Sequence, residues 1–419
     1  MRYPLLFAFT ALIILLSSCD DTPSYDHKRD FDTDPKAVSV LFLTAEDSSE
    51  IILPEGHFLF DRSLILEGVH GVAIRGQGPK RTVLSFKGQV EGAEGILVKN
   101  CGDIVLEDFT IEDAAGDNIK ATDTDGIVFR NLISGWNGPV SAQNGAYGLY
   151  PVLCKNVIIE GCTVYGASDA GIYVGQSDSV IIRNNTAKHN VAGIESENST
   201  NVRIHGNKTY ENTGGLLIFD LPGLTMYGGT VEVWENEILN NKLDNFAPPG
   251  NIVGMIPAGT GIMVLATRDV VIRNNNIHDH KTVGVAVVSY ELVAALSADD
   301  DPDQGTVGST AEINDAYHSD SLYNPFPGNV RLRDNHFRKR GGLPDMDHQI
   351  GQLFMLKFPT KRPQVVWDGI RHPDYLLADG SINPDYRICI GDDVFFADLD
   401  LANDMENLQK NPDALRCSD

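Results

Sequence analysis

The chain repeats itself, and the repeat constrains the fold more than any other feature. NVIIEGCTVYGASDAGIYVG, SVIIRNNTAKHNVAGIESEN and NVRIHGNKTYENTGGLLIFD align directly, with Val157, Val180 and Val202 spaced 23 and 22 residues and Gly171, Gly193 and Gly215 spaced 22 and 22. Five residues after Val180 and Val202 stand Asn185 and Asn207, and the same offset joins Val231 to Asn236, Val270 to Asn275 and Val330 to Asn335. Ile104 and Ile127 extend the series backward without the Asn. A repeat of this kind buries its apolar face only by stacking on its neighbours. Short alternating strands between Gly and Asn turns predict an all-β fold, a right-handed parallel β-helix from about Ile52 to about Phe337, with coils stacked about 4.8 Å apart. A helical solenoid would show a 3.6-residue periodicity, and none runs through these segments. The Asn column reads as scaffold, because Asn tolerates left-handed turns and stacked amides hydrogen-bond from coil to coil.

Composition narrows the partners. The 419 residues are 42% hydrophobic, enough for a large core, and carry a formal net charge of −25. That charge argues against a nucleic-acid binder, which needs a basic footprint. It also argues against electrostatic docking on anionic lipid. An acidic polysaccharide stays open where a local basic patch or a bound cation offsets the field.

Residues 1–19 read as a lipoprotein signal peptide: one Arg, the apolar run Leu5 to Leu16, then LSSC ending at Cys19. The run is too short to span a bilayer comfortably. LSSC resembles the bacterial lipobox, which makes Cys19 the lipidated mature N-terminus and the chain a lipid-anchored, exported protein of the bacterial cell envelope. Residues 20–36 read as a flexible tether, 37–345 as the β-helix with its N-terminal capping helix (KAVSVLFLTAED) and insertions, and 346–419 as an irregular C-terminal cap. Cys389 and Cys417 bracket that cap and are expected to pair in an oxidising compartment, while the pairing of Cys101, Cys154 and Cys162 stays open.

The opening coils, IILPEGHFLFDRSLILEGVHGVAIRGQG, resemble the pectate-lyase-like superfamily. GAYGLYPV, GASDAGIYVGQS, NVAGIESENS and NTGGLLIFDLPGL resemble a family of bacterial exported parallel β-helix repeat lipoproteins whose activity is not established. The resemblance runs from about Ile52 to Cys417 and implies fold and envelope location. It also implies a neighbouring exported c-type cytochrome-like protein as a partner, and it supplies no catalytic set.

Sites must therefore come from register. Two places after each strand-leading Gly, with Asn118 in place of Gly in the first coil, the outward row reads Lys120, Tyr150, Tyr173, Glu195, Leu217 and Met263; two places further it includes Gly175, Glu197 and Phe219, and Asp220 follows one place later. Tyr150, Tyr173 and Asp169, walled by the insertion that holds Trp136, make a candidate carbohydrate-binding strip. Glu195, Glu197, Lys120, Tyr173 and Asp220 are the candidate catalytic groups. Glu195 and Glu197 lie on one face of one strand, about 6.7 Å apart by strand rise. Paired carboxyls at that range suit glycoside hydrolysis, and Lys or Tyr suits proton abstraction beside a uronate carboxyl group, as in lyases and C5-epimerases. The competing expectation is that the insertions fold down and bury the strip. Carboxylates of this density also suit Ca²⁺, although the acidic run Asp299 to Asp303 lacks EF-hand spacing. His278, His280 and His336 form no zinc pattern, and no cofactor motif is present. Two functions remain: a surface- or periplasm-facing lipoprotein that binds a glycan or an exported partner, or a polysaccharide lyase, C5-epimerase or glycoside hydrolase.

Overall fold

The computed structural model describes residues 34–297, 309–338 and 342–417. The proposed signal peptide with Cys19, most of the tether and the run Asp299 to Asp303 lie outside them. Three sheets of eleven, ten and twelve strands wind as one solenoid, in which each strand pairs in parallel with the third strand after it, one coil on, until the last coils, where Gln409–Lys410 adds antiparallel to the twelve-stranded sheet. The aligned anchors stack as the spacing requires: Ile104, Ile127, Val157, Val180, Val202, Val231, Val270 and Val330 pair in series along the eleven-stranded sheet. All are buried in one axial core. Strand alternation puts Ile172 and Val174 into that core, while Tyr173 packs in a second cluster outside the sheet.

The Asn column is continuous. Asn185 donates its amide to Asn207 at 3.0 Å, Asn207 to Asn236 at 3.0 Å, Asn236 to Asn275 at 2.9 Å and Asn275 to Asn335 at 3.0 Å. Asn335 passes the ladder to Asp392 at 2.9 Å. One detail differs from expectation. The left-handed residue of each turn is the one before the ladder Asn, at Asn184, Gly206, Glu235, Asn274 and Asp334. The ladder Asn is held by its amide bonds. A second column, Asn190, Asn212 and Asn241, escaped the alignment.

Helix α1 (Lys36–Leu43) closes the front of the core with Val38 and Phe42. The far end is more regular than an irregular cap. Val365–Trp367, Ile388–Ile390 and Phe396–Asp398 continue two of the sheets in parallel, because this segment still offers apolar residues to the open coil end. Cys389 and Cys417 are bonded, with Cα atoms 4.8 Å apart. Cys101, Cys154 and Cys162 are free and buried, and burial pushes the Cys154 and Cys162 thiols up to about 12.

The insertions lie over the twelve-stranded sheet. A 3₁₀ turn (Ile252–Met255), α2 (Tyr290–Leu296) and α3 (Thr310–Ser319) pack with Leu217, Phe219 and Leu265 into the second apolar cluster. Helix α4 (Gln349–Lys357) covers the following coils through Phe354. None of the described helices is long and apolar enough to cross a membrane.

Candidate functional site

The outward rows fall in the expected register on the twelve-stranded sheet. Lys120 pairs with Tyr150, Tyr173 with Glu195, Glu195 with Leu217 and Leu217 with Met263, while Gly175, Glu197 and Phe219 form the parallel row. At Gly175 the missing side chain is what makes room for a neighbour, since a Cβ there would sit 2.6 Å from the Tyr173 hydroxyl. Tyr173 therefore lies along its own strand and donates to Glu197 Oε1 at 2.6 Å.

Burial divides the strip. Tyr173 is 5% exposed and Glu195 1% exposed, so the centre is covered, as the competing expectation had it. Lys120, Tyr150 and Glu197 stay half-buried and face outward. Tyr147, which the sequence reading passed over, joins Tyr150 and Tyr173 in a trio with ring centroids 4.5, 4.5 and 4.9 Å apart. Its hydroxyl donates to Asp169 Oδ2 at 3.2 Å. The Lys120 ammonium sits 4.9 Å from the Tyr150 ring centre, within cation–π reach.

Four carboxyl groups surround the trio. Burial raises Asp117 to about 7, opposed by the Lys120 charge. Burial, then the Glu197 charge, raises Asp169 to about 8, opposed by the Tyr147 hydroxyl. Burial raises Glu197 to about 7, opposed by the bond from Tyr173. Glu195 is pushed well above the usual carboxylate range by burial and then by Asp169. Asp169 Oδ1 and Glu195 Oε2 are buried without a hydrogen-bond partner among the described residues. Low dielectric and mutual repulsion disfavour several charges here, so the cluster holds protons near neutral pH.

Two expected members stand apart. Trp136 does not present its ring as a wall. It is 5% exposed, donates to the Ala114 carbonyl at 2.8 Å and packs beneath Gly145, so it pins its loop down. Asp220 is buried in the turn beyond Phe219, where it accepts from the Gly228 amide at 2.7 Å, and burial raises it to about 7. Asp117, the further group that sequence reasoning missed, immediately precedes Asn118, the residue aligned in place of the strand-leading Gly. Among the described residues no group of three or more His, Cys, Asp or Glu is arranged to hold a metal ion.

A family model described as the right handed beta helix region matches residues 70–231. Among solved structures, the mannuronan C-5 epimerase AlgE4 A-module of Azotobacter vinelandii is similar, with 14% identity and a TM-score of 0.50, over 86% of this chain and 91% of that one. The hyperthermoactive exopolygalacturonase of Thermotoga maritima has 13% identity and a TM-score of 0.48, over 74% and 84%. No curated protein matches the chain significantly. The chain thus has the right-handed parallel β-helix fold, with residues 70–231 matching the model of that region, and at these identities the likeness to solved structures is one of fold alone.

Proposed function

We propose that the protein binds a polysaccharide across the half-exposed face formed by Lys120, Tyr150 and Glu197, and that Asp117 and Glu197 exchange protons with it there. The observation that carries the reading is the pairing of a half-exposed tyrosine face with two carboxyl groups raised to about 7 on a rigid sheet. Such perturbed groups on one surface mark a functional-site candidate, and a group titrating near the working pH is suited both to give and to take a proton. The Tyr150 ring supplies an apolar face for a sugar, and Lys120 beside it suits a uronate carboxylate. A mannuronan C-5 epimerase module, by its name a protein that acts on a polysaccharide, shares this fold. Proton exchange at this face fits a lyase, C5-epimerase or hydrolase; without turnover, the same face is a glycan-binding surface.

A glycan library screened for binding, for unsaturated product, for new reducing ends and for C5 inversion by proton NMR tests both parts. Tyr150→Ala should weaken binding at least tenfold. Glu197→Gln should keep binding and abolish turnover. Wild-type behaviour in both variants, or no bound glycan at all, removes the proposal.

The location is part of the same reading. Lipid on Cys19 would anchor the body in the envelope through the tether, beside the exported c-type cytochrome-like protein that the resemblance implies as partner. Cys19→Ser should leave the membrane fraction and lose the lipid mass, and a reciprocal pull-down of the tagged full-length protein should recover a haem-staining band.

A further inference from the structure

The structure assigns a second binding site, for a single alkyl chain with a non-anionic head, to the recess between the twelve-stranded sheet and helices α2 and α4. The outward row that begins with Tyr150 and Tyr173 turns apolar in the later coils. Met263, Ala286 and Val366 form the floor of the recess; Leu292, Leu296 and Leu353 form its sides and roof. The space between them is about 310 Å³. That is about twice a void known to admit benzene, so it fits a chain of roughly ten to twelve carbons. Water in a recess with this apolar lining finds few hydrogen-bond partners, so an alkyl chain that displaces it is favoured. The recess is open to solvent, since Leu296 on its wall is 46% exposed.

Charge selects the head. None of the described residues lining the recess is Lys, Arg or His. Of its two carboxylates, Asp368 is fully engaged, with Oδ2 accepting from the Ser289 amide and hydroxyl at 2.6 and 2.8 Å and Oδ1 from the Ile370 amide at 3.1 Å. Asp404 lines the recess and is exposed. A carboxylate or phosphate head would meet that charge with no cation to offset it, whereas a neutral or cationic head would not. Buried Leu217 and Phe219 stand between the recess and the tyrosine-carboxyl face, with Phe219 lining the recess and pairing with Glu197 on its other side.

Calorimetric titration of the full-length protein tests this, with n-decyltrimethylammonium, decanoate and n-hexyltrimethylammonium, each below its micellar concentration. The decyl cation should bind one to one and saturably. Decanoate should bind at least tenfold more weakly, and so should the hexyl cation, which lacks four methylenes. Ala286→Phe fills the floor and Ala295→Trp blocks the exposed rim, so each should weaken decyl binding at least tenfold. Should Ala286→Phe fail to fold, Ala295→Trp, on the surface, still decides. The assignment is overturned by no saturable decyl binding, by equal affinity for decanoate, or by wild-type affinity in the folded variants.

Discussion

Glu195 sits where a solvated surface glutamate would be ordinary, yet it is buried beside Asp169, and each holds one oxygen without a partner. A buried, unpartnered polar atom is costly, and a charged one more so. The pair therefore stores strain that grows as protons leave. Glu195→Gln removes a carboxyl that burial makes costly to ionise, so the melting temperature of the variant should fall less than that of wild type between pH 5 and pH 8. Melting curves at the two pH values check this, and an equal or larger fall in the variant would contradict it. Tyr173→Phe should have a different signature. It removes the hydroxyl that holds Glu197 down, so the Glu197 carboxyl should titrate at higher pH in a carbon NMR titration.

At the scale of elements, the Asn column carries the turns between two of the sheets. Asn207 is a central rung: its amide oxygen accepts from the Asn185 backbone at 3.0 Å and its nitrogen donates to the Ile182 carbonyl at 2.9 Å. Asn207→Ala removes both bonds, leaves the buried Asn185 amide without this partner and should cost about 2 kcal/mol in urea unfolding. Asn201→Ala, which removes an exposed bond to Asp178 outside the column, should cost clearly less, and equal losses would show that the column is ornament. The terminal disulfide acts on a separate element. Its separation of 28 residues gives about 3–4 kcal/mol of loop-closure stabilisation. Reduction should loosen the last coils first, read as faster hydrogen exchange at Ile388–Ile390 than at Val180.

The whole molecule combines a formal charge of −25 with carboxyl groups that fold into low dielectric. Asp117, Asp169, Glu197 and Asp220 have folded-state values of about 7 to 8, above the unfolded values of about 3.9–4.3. Between those limits the folded state binds more protons than the unfolded one, so stability falls as pH rises. The contribution is complete below about pH 4 and is lost through pH 7–8. Growing repulsion among the other carboxylates acts in the same direction. The melting temperature should therefore drop from pH 5 to pH 8, and a level or rising profile would contradict the raised values.

The period, the anchors and the row containing Tyr173 and Glu195 were all legible in the sequence. A solenoid converts sequence spacing into spatial neighbours, and strand alternation assigns each side chain a face. The capping helix and the bond between Cys389 and Cys417 were legible for similar local reasons. Tyr147 and Asp117 carried a signal, one place before aligned positions, that the register used did not reach. What only the tertiary structure decided was the fate of the outward face. Nothing in the period says how an insertion folds back, because its contacts lie many coils away and depend on apolar residues with no fixed spacing. The packing of 252–255, α2 and α3 on Leu217 and Phe219 closes the middle of the row. That packing and the close contacts among neighbouring groups turn ordinary surface carboxylates into groups that hold protons at neutral pH, and α4 roofs the recess beyond them. Burial of this kind is a property of neighbours, and the sequence specifies those neighbours only through the fold.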